Sequence, residues 1–502
     1  MVHCGMETHK AYRPWDPEQS LLLPPSLLDW LPEDDLAYFI LDVVGSLDLG
    51  GIEDAYQEKD ARGTRPYSPR MLTALLVYGY CVGVRSSRRI EAATWRDVAF
   101  RVIAGGHHPD HSVISEFRRV HLQALRGLFV TTVRLAQRAG LVRLGQVALD
   151  GTKVQANASK HKAMSHGRML KTEAELQVEI DRMLAEAEQV DRQEDGIHGA
   201  GRRGDELPAE LRRRTDRLQK IEQARAALEA EAREVRARQL GEQAERQRAH
   251  ALEAADPIER KRAATRAAKA QERASTLRSD DDEEPPGLGG SSRDSWPSHQ
   301  VLTTPEGRPV ASAQRNFTDP DSRIMKRDGA YLQGYNCQAV VDAAHQVIVG
   351  CMATNQAPDQ EHLPSAVEQV REYCGAYPEQ LLADAGYWDA GHVDFCKARG
   401  VDAYIATGKA KHGETRPAEL GEPLDHPDAR GGMVWKLRTP DGRAIYARRK
   451  VIVEPVFGQI REGQDFRRFL LRGMEKVRSE WALVCAGHNL RKLFRAARAA
   501  PA

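Results

Sequence analysis

A mixed α/β fold with long helical additions is what this sequence predicts, and three patterns predict it. Short apolar runs at 146–157, 338–350, 380–387 and 401–406 alternate with helical stretches, the order expected of a mixed sheet with flanking helices. The chain ahead of the first run reads as helix almost throughout. Between the first and second runs, a charged stretch from 165 to about 285 repeats apolar residues every three, four or seven positions.

Each element follows from local chemistry. Leu27–Leu31 and Leu36–Ile40 carry apolar residues at helical spacing, and Pro69 opens a long helix through Tyr80, as proline does at a first helical turn. Ser86–Glu91 and Ala99–Ile103 continue the series. Asp110–Arg119 reads as a capped helix entry with Ser112 at the N-cap. Arginines on one side of these short helices, Arg88 and Arg89 among them, suit a small DNA-binding module; any helical bundle looks the same. Gln146–Asn157 predicts either a strand pair turned at Asp150-Gly151 or one bulged strand.

In the charged stretch, Leu176, Ile180, Met183, Ala187 and Val190 alternate by four and three. Ile221, Leu228 and Val235 stand seven apart, with Leu211 and Leu218 out of phase. Gly196, Gly199, Gly201 and Gly204 predict a break between two antiparallel helices, and Asp280–Gly287 an acidic, proline-stopped linker. Beyond it, 338–342 and 346–350 form a hairpin, 364–370 a helix, 380–387 a buried strand, about 390–399 a helix and 401–406 a strand. Residues 408–445 read as irregular, and the chain from about Arg448 as helical and basic, with Met474, Val477, Trp481 and Val484 inward and a solvated face outward. The predicted division is 1–140, an N-terminal helical DNA-binding domain; 141–160, the first core strand; 161–290, a coiled-coil-like helical insertion; and 291–502, the rest of the core.

Composition narrows the classes. Lys+Arg and Asp+Glu nearly cancel at 73 and 72, a net of +1, which excludes a polybasic coat protein. The balance is uneven, however. Residues 448–498 hold 13 Lys/Arg against 5 acids, a local net of +8 suited to a phosphate backbone. No apolar run reaches the length of a membrane span, and the start, Met1–Gly5, has no signal-peptide core, so a cytoplasmic protein is expected. Seven cysteines without a C-x-x-C pair argue against structural zinc and a disulfide framework. His107, His108 and His111 have no spaced partner that would complete a metal site.

Two carboxylates end short apolar strands: Asp150 after Val147-Ala148-Leu149 and Asp384 after Leu381-Leu382-Ala383, each with glycine close behind. Strand ends are where open sheets collect reactive groups, although Asp before Gly is also a common turn former. Glu454 follows the apolar run Val451-Ile452-Val453. Three carboxylates offer hard oxygen ligands suited to magnesium or manganese and to two-metal phosphodiester chemistry.

These motifs together resemble the DDE transposases of bacterial insertion sequences. The resemblance runs through Ser68–Leu72, Ser86–Glu91, Pro109–Arg118, Leu149–Val154, Asp319–Arg323, Gly334–Asp342, Ala383–Tyr387 and Val453–Gly458. It implies an RNase-H-like catalytic core, with Asp150, Asp384 and Glu454 as catalytic metal ligands. Magnesium or manganese would be the cofactor. Double-stranded element ends and target DNA would be the partners, a homodimer would bridge two ends, and no membrane would be involved. Lys450 and Arg461 would position phosphates, with Arg467, Arg468, Arg472, Arg88 and Arg89 as further DNA contacts. The family pattern places Tyr and Arg before the Glu and Lys after it; here Tyr446 stands one residue further out and Arg461 takes the later basic position. The alternatives are a catalytically inactive DNA-binding descendant, an unrelated α/β nuclease, or a helical interaction protein.

Overall fold

The computed structural model describes residues 26–57, 66–198, 209–279, 296–408 and 428–499. The predicted linker 280–287 and the glycines at 199, 201 and 204 lie outside them. After a single turn of 3₁₀ helix at Leu27–Trp30 come seven helices: α1 (Leu36–Gly45), α2 (Gly50–Gln57), α3 (Pro69–Val82), α4 (Ser87–Arg96), α5 (Val98–Ile103), α6 (His111–Val120) and α7 (Leu122–Arg138). Pro69 takes the first turn of α3, where its missing N–H costs nothing. The α6 N-cap is Asp110, whose carboxylate accepts from Ser112 N at 2.7 Å. That corrects the expected Ser112 cap. An aspartate two residues earlier reaches the same first-turn donors.

The strand predicted to turn or bulge at Asp150-Gly151 does neither. β1 (Gln146–Gln155) continues through both residues, because β5 pairs it there without a register break. On one side lies β5 (Ala330–Asp342), antiparallel from Val147↔Asp342 to Gln155↔Gly334. On the other lies β7 (Gln380–Ala383), parallel, with Leu149 opposite Ala383, followed by parallel β8 (Asp402–Ile405). The outer edge of β5 is shared by β4 (Arg323–Arg327) along its first half and β6 (Ile348–Thr354) along its second. The hairpin turn between β5 and β6 falls where predicted. Asp342 accepts from Leu144 N at 2.8 Å and Ala344 N at 2.9 Å, holding Leu144 in its positive-φ conformation at the entry to β1.

Two short strands, β2 (Ala163–Ser165) and β3 (Gln314–Asn316), pair antiparallel and clamp the two ends of a helical excursion. Between them run α8 (His166–His198), α9 (Ala209–Glu253) and α10 (Pro257–Ser279). Glu173 pairs with Arg225 and Glu179 with Arg214, so α8 and α9 are antiparallel. Ile221, Leu228 and Val235 are buried as their seven-residue spacing requires. The side chains of Ala187, Val190 and Leu211 lie outside the described residues. Glu231 on α9 meets Arg315 at 3.0 Å and Arg323 at 3.1 Å, anchoring the arm to β3 and β4.

The remaining helices cover the sheet: α11 (Leu363–Cys374), α12 (Ala390–Lys397), α13 (Ala429–Arg438), α14 (Pro440–Gly458) and α15 (Met474–Ala499). Residues 428–445, expected to be irregular, are therefore mostly helical. Asp428 and Thr439 cap α13 and α14, and Pro440 stands in the first turn of α14. Residues 409–427 lie outside the described part. The two-faced C-terminal helix also needs correction. From Ser479 to Leu490 every residue of α15 is buried, since α3 and α7 pack on one side and β6 on the other. Only the end of α15 is basic and solvated. One apolar cluster consequently runs from Ala37 through the sheet to Leu493. Among the described residues no helix is long and apolar enough to cross a membrane.

Asp319 and Asp321, in the stretch Asp319–Arg323 that carries part of the resemblance, are structural joints. Asp319 accepts from Tyr335 Oη at 2.8 Å and Gly473 N at 3.1 Å, and Asp321 accepts from Met474 N at 2.8 Å. Together they fasten the start of α15.

Candidate active site

The parallel pairing of β1 and β7 sets the site. Leu149 lies opposite Ala383, so Asp150 and Asp384 are the next residues on adjacent parallel strands. Asp150 Oδ1 accepts from Gly151 N at 2.8 Å, and Asp384 Oδ1 from Gly386 N at 2.8 Å. Each carboxylate is thus held by a backbone N–H just after it, within the strand for Asp150 and in the 3₁₀ turn at Ala385–Tyr387 for Asp384.

The third predicted acid sits differently. Glu454 lies on α14, whose buried side carries Ile452, Val453 and Val456, and its side chain is 54% exposed. Between it and the strand acids stands Arg449. Arg449 Nη1 is 3.0 Å from Asp150 Oδ2, and Nη2 is 3.8 Å from Glu454 Oε1. The guanidinium thus joins two of the three acids, while Asp384 faces Asp150 electrostatically. The three carboxylates do not close on one another: among the described residues, the acid group whose ligand atoms all lie within 4.8 Å is Glu91, Asp110 and His111. There His111 Nδ1 is 2.9 Å from Glu91 and 3.3 Å from Asp110, which also caps α6, so that group reads as a hydrogen-bonded helix junction.

The basic residue between the acids is Arg449 and not the expected Lys450. Helical spacing explains the difference. Lys450 and Glu454 are four apart and share the outer flank, whereas Arg449 and Tyr446 are three apart and face β1. Tyr446, one residue off the family spacing, contacts Arg449, and its hydroxyl pKa is raised by burial despite that guanidinium. Pro455, inside α14, cannot donate to the carbonyl of Val451; Gln346 Nε2 does so instead, at 2.9 Å. The helix then loosens into a π turn at Gln459–Gly463.

A fourth acid was also missed. Asp359, between β6 and α11, accepts on Oδ1 from Lys153 Nζ (2.9 Å), Asn336 Nδ2 (2.6 Å) and Gln338 Nε2 (2.8 Å). Gln338 in turn accepts from the Tyr387 hydroxyl. No apolar run leads directly into Asp359, so strand-end logic did not reach it. Gly151 makes room for this cluster: a Cβ there would lie 2.5 Å from Gln338 Nε2 and 2.9 Å from Asp359 Oδ1. Gly151→Ala is expected to destabilise the fold by about 1–3 kcal/mol through overpacking beside Asp150. Urea unfolding checks this, and an unchanged midpoint would count against the crowding.

Burial pushes the Asp150 carboxyl up to about 6; Arg449 and Gly151 N–H pull it down, and Asp384 pushes it further up. The donor set of Asp150, Asp384 and Glu454 is all oxygen, the kind that a hard divalent cation takes, and the Arg449 guanidinium supplies the counter-charge to Asp150.

The predicted DNA contacts lie on α4, on α14 with its π turn, and in the segment that follows it. Lys450, Arg461, Arg467, Arg468 and Arg472 are all exposed. Arg461 and Arg467 pair with Glu462, and Arg472 Nε donates to Asn157 O. Arg468 bridges to Gln155 at the end of β1. Arg88 and Arg89 are exposed on α4, and Arg89 lies 3.8 Å from Asp465 in the same segment as Arg467.

Two family descriptions match the chain. "Transposase domain (DUF772)" covers residues 25–120, which hold α1–α6. "Transposase DDE domain" covers residues 426–494, which hold α13, α14 and most of α15, with Tyr446, Arg449 and Glu454. Neither a curated protein nor a solved structure matches.

Proposed function

With these two domains the chain belongs to the DDE transposases of insertion sequences, and from that premise we propose that it cleaves DNA at the ends of its element and joins them to target DNA. The observation that carries this is the Asp150–Asp384 pair on adjacent parallel strands, linked through Arg449 to Glu454. The order β5-β1-β7-β8, antiparallel then parallel, supports reading the core as RNase-H-like, and β2 and β3 support reading α8–α10 as an insertion into it.

Asp150, Asp384 and Glu454 are the residues that would hold magnesium or manganese. Bound there, the ions would supply Lewis-acid charge stabilisation for in-line phosphoryl transfer. The chain's own contribution is positioning. Gly151 and Gly386 aim the two aspartates. Arg449 and Tyr446 carry positive charge and a hydroxyl onto the same face. Lys450 and Arg461, on the exposed flank of α14 and its π turn, hold the phosphates to either side. Hydrolysis at the element end frees a 3′-hydroxyl, which then displaces a target phosphodiester oxygen. Two ends must meet, which favours a homodimer on DNA.

The test is incubation of the full chain with DNA flanking its own gene and a target plasmid, with magnesium, manganese or chelator. Joined products that need the divalent ion support the reading; metal-independent nicking, or no cleavage with either ion, would overturn it.

The Asp150 carboxyl adds a pH signature. Held at about 6 against an ordinary 3.8, it is protonated in the folded, metal-free chain through pH 4–6. Relative to the charged form, that proton's stabilising contribution is full below 3.8 and lost as pH rises through about 6. Asp150→Asn is therefore expected to stabilise the metal-free chain at pH 8 by up to about 3 kcal/mol, with the gain shrinking towards pH 4. Thermal melts across pH check it; a gain that stays constant with pH would contradict the assignment.

A further inference from the structure

Trp95, near the C-terminal end of α4, is 61% exposed, unusual for so large an apolar ring. It does not hang loose. The His108 imidazole stacks on one face at 3.3 Å between centroids and 12° between planes, and Thr94 Oγ1 bonds His108 Nδ1 at 3.2 Å. One face of the indole is thus backed by a fixed ring.

The charges around it are not balanced. Glu91 is engaged by His111, Asp97 caps α5 by accepting from Ala99 N and Phe100 N, and Asp110 caps α6. Arg88 and Arg96 are exposed, and among the described residues neither has an ionic partner. Arg88 precedes Trp95 by seven residues, two helical turns, so both lie on one face of α4 about 10 Å apart. Arg96 is the next residue after Trp95. Through Arg89 and Asp465 this face continues into the segment of Arg467 and Arg468, which abuts the end of β1.

A rigid, open aromatic face on a helix that also exposes Arg88 and Arg96 suits a nucleobase stacked on the ring with its phosphates near the arginines. We propose that Trp95, backed by His108 and flanked by Arg88 and Arg96, is a stacking ledge for an unpaired DNA base. This rests on the DNA-binding part of the reading above and adds a base-contacting role to the helical region. It does not depend on the acids.

The experiment measures affinity of the full chain for a mixed-sequence single-stranded oligonucleotide and for the blunt duplex of the same sequence, by anisotropy over a range of salt. Trp95→Ala is expected to weaken single-strand binding by roughly 5- to 100-fold and duplex binding by less than about twofold. Trp95→Phe keeps most of the affinity. Arg88→Ala with Arg96→Ala weakens both probes and flattens the salt dependence by about one phosphate contact each. Because Trp95 is exposed, the thermal midpoint of Trp95→Ala stays near that of the parent, which separates loss of stacking from loss of fold. Unchanged affinity in Trp95→Ala, or an equal loss on both probes, overturns the ledge while leaving the transposase reading intact. Protection of Trp95 from a soluble quencher that grows with protein concentration alone also overturns it, assigning the face to a second copy. A parent chain that binds neither probe overturns both readings.

Discussion

Asp384→Asn should reduce cleavage and strand transfer by roughly 10³- to 10⁵-fold, the range seen when an essential catalytic group is lost. DNA affinity should stay within a few-fold. Asn keeps the size of the side chain and an oxygen that can accept from Gly386 N, so the short turn after β7 survives. What disappears is the charge beside Asp150. Gel-based joining assays and equilibrium binding on the same DNA separate the two effects. Retained joining would remove Asp384 from the chemistry, and lost binding would recast it as a structural residue.

The largest stability effect is expected at Glu480. It is fully buried on α15, 3.0 Å from Arg85, and accepts from Leu470 N and Leu471 N. Burial pushes its pKa up, while Arg85 and these N–H groups pull it down. Arg85 also donates to Asp465 O at 3.0 Å and Arg468 O at 3.3 Å. A single guanidinium therefore ties the α3–α4 junction to the segment that carries Arg467 and Arg468. Glu480→Ala removes the buried counter-charge of Arg85 and should cost about 3–5 kcal/mol, a fall in thermal midpoint of roughly 3–5 °C for a chain of this size. Calorimetry reads the first consequence. The second is weaker DNA binding, because the Arg467–Arg468 segment loses its anchor. A variant with parental stability would show that α15 packing alone holds this junction.

The sequence was most legible where structure is local. Pro69 at a helix start, the hairpin around Asp342 and the position of Asp384 at the end of β7 all depend on residues within a few positions of one another, whereas Asp150, expected at a strand end, lies inside β1. Ile221, Leu228 and Val235 were legible for the same reason, since a helix repeats its burial with its own period. The failures share an opposite cause. Asp150-Gly151 carries a turn signal, yet the β5 strand, nearly 200 residues away, pairs through both residues and keeps them in the ladder. The end of the chain read as two-faced because its charges are conspicuous, yet its middle is enclosed by α3, α7 and β6.

Short-range periodicity and turn chemistry were enough to place the apolar runs that lead into Asp150 and Asp384, and composition was enough to show the basic character of the last fifty residues. Only the tertiary structure decided that Arg449, not Lys450, lies between Asp150 and Glu454, that Asp359 joins Lys153 beside Gly151, and that Trp95 stays open to solvent. Each of those depends on which surfaces pack together across long stretches of chain. A helix or strand pattern fixes which residues share a face, and packing alone fixes what that face meets.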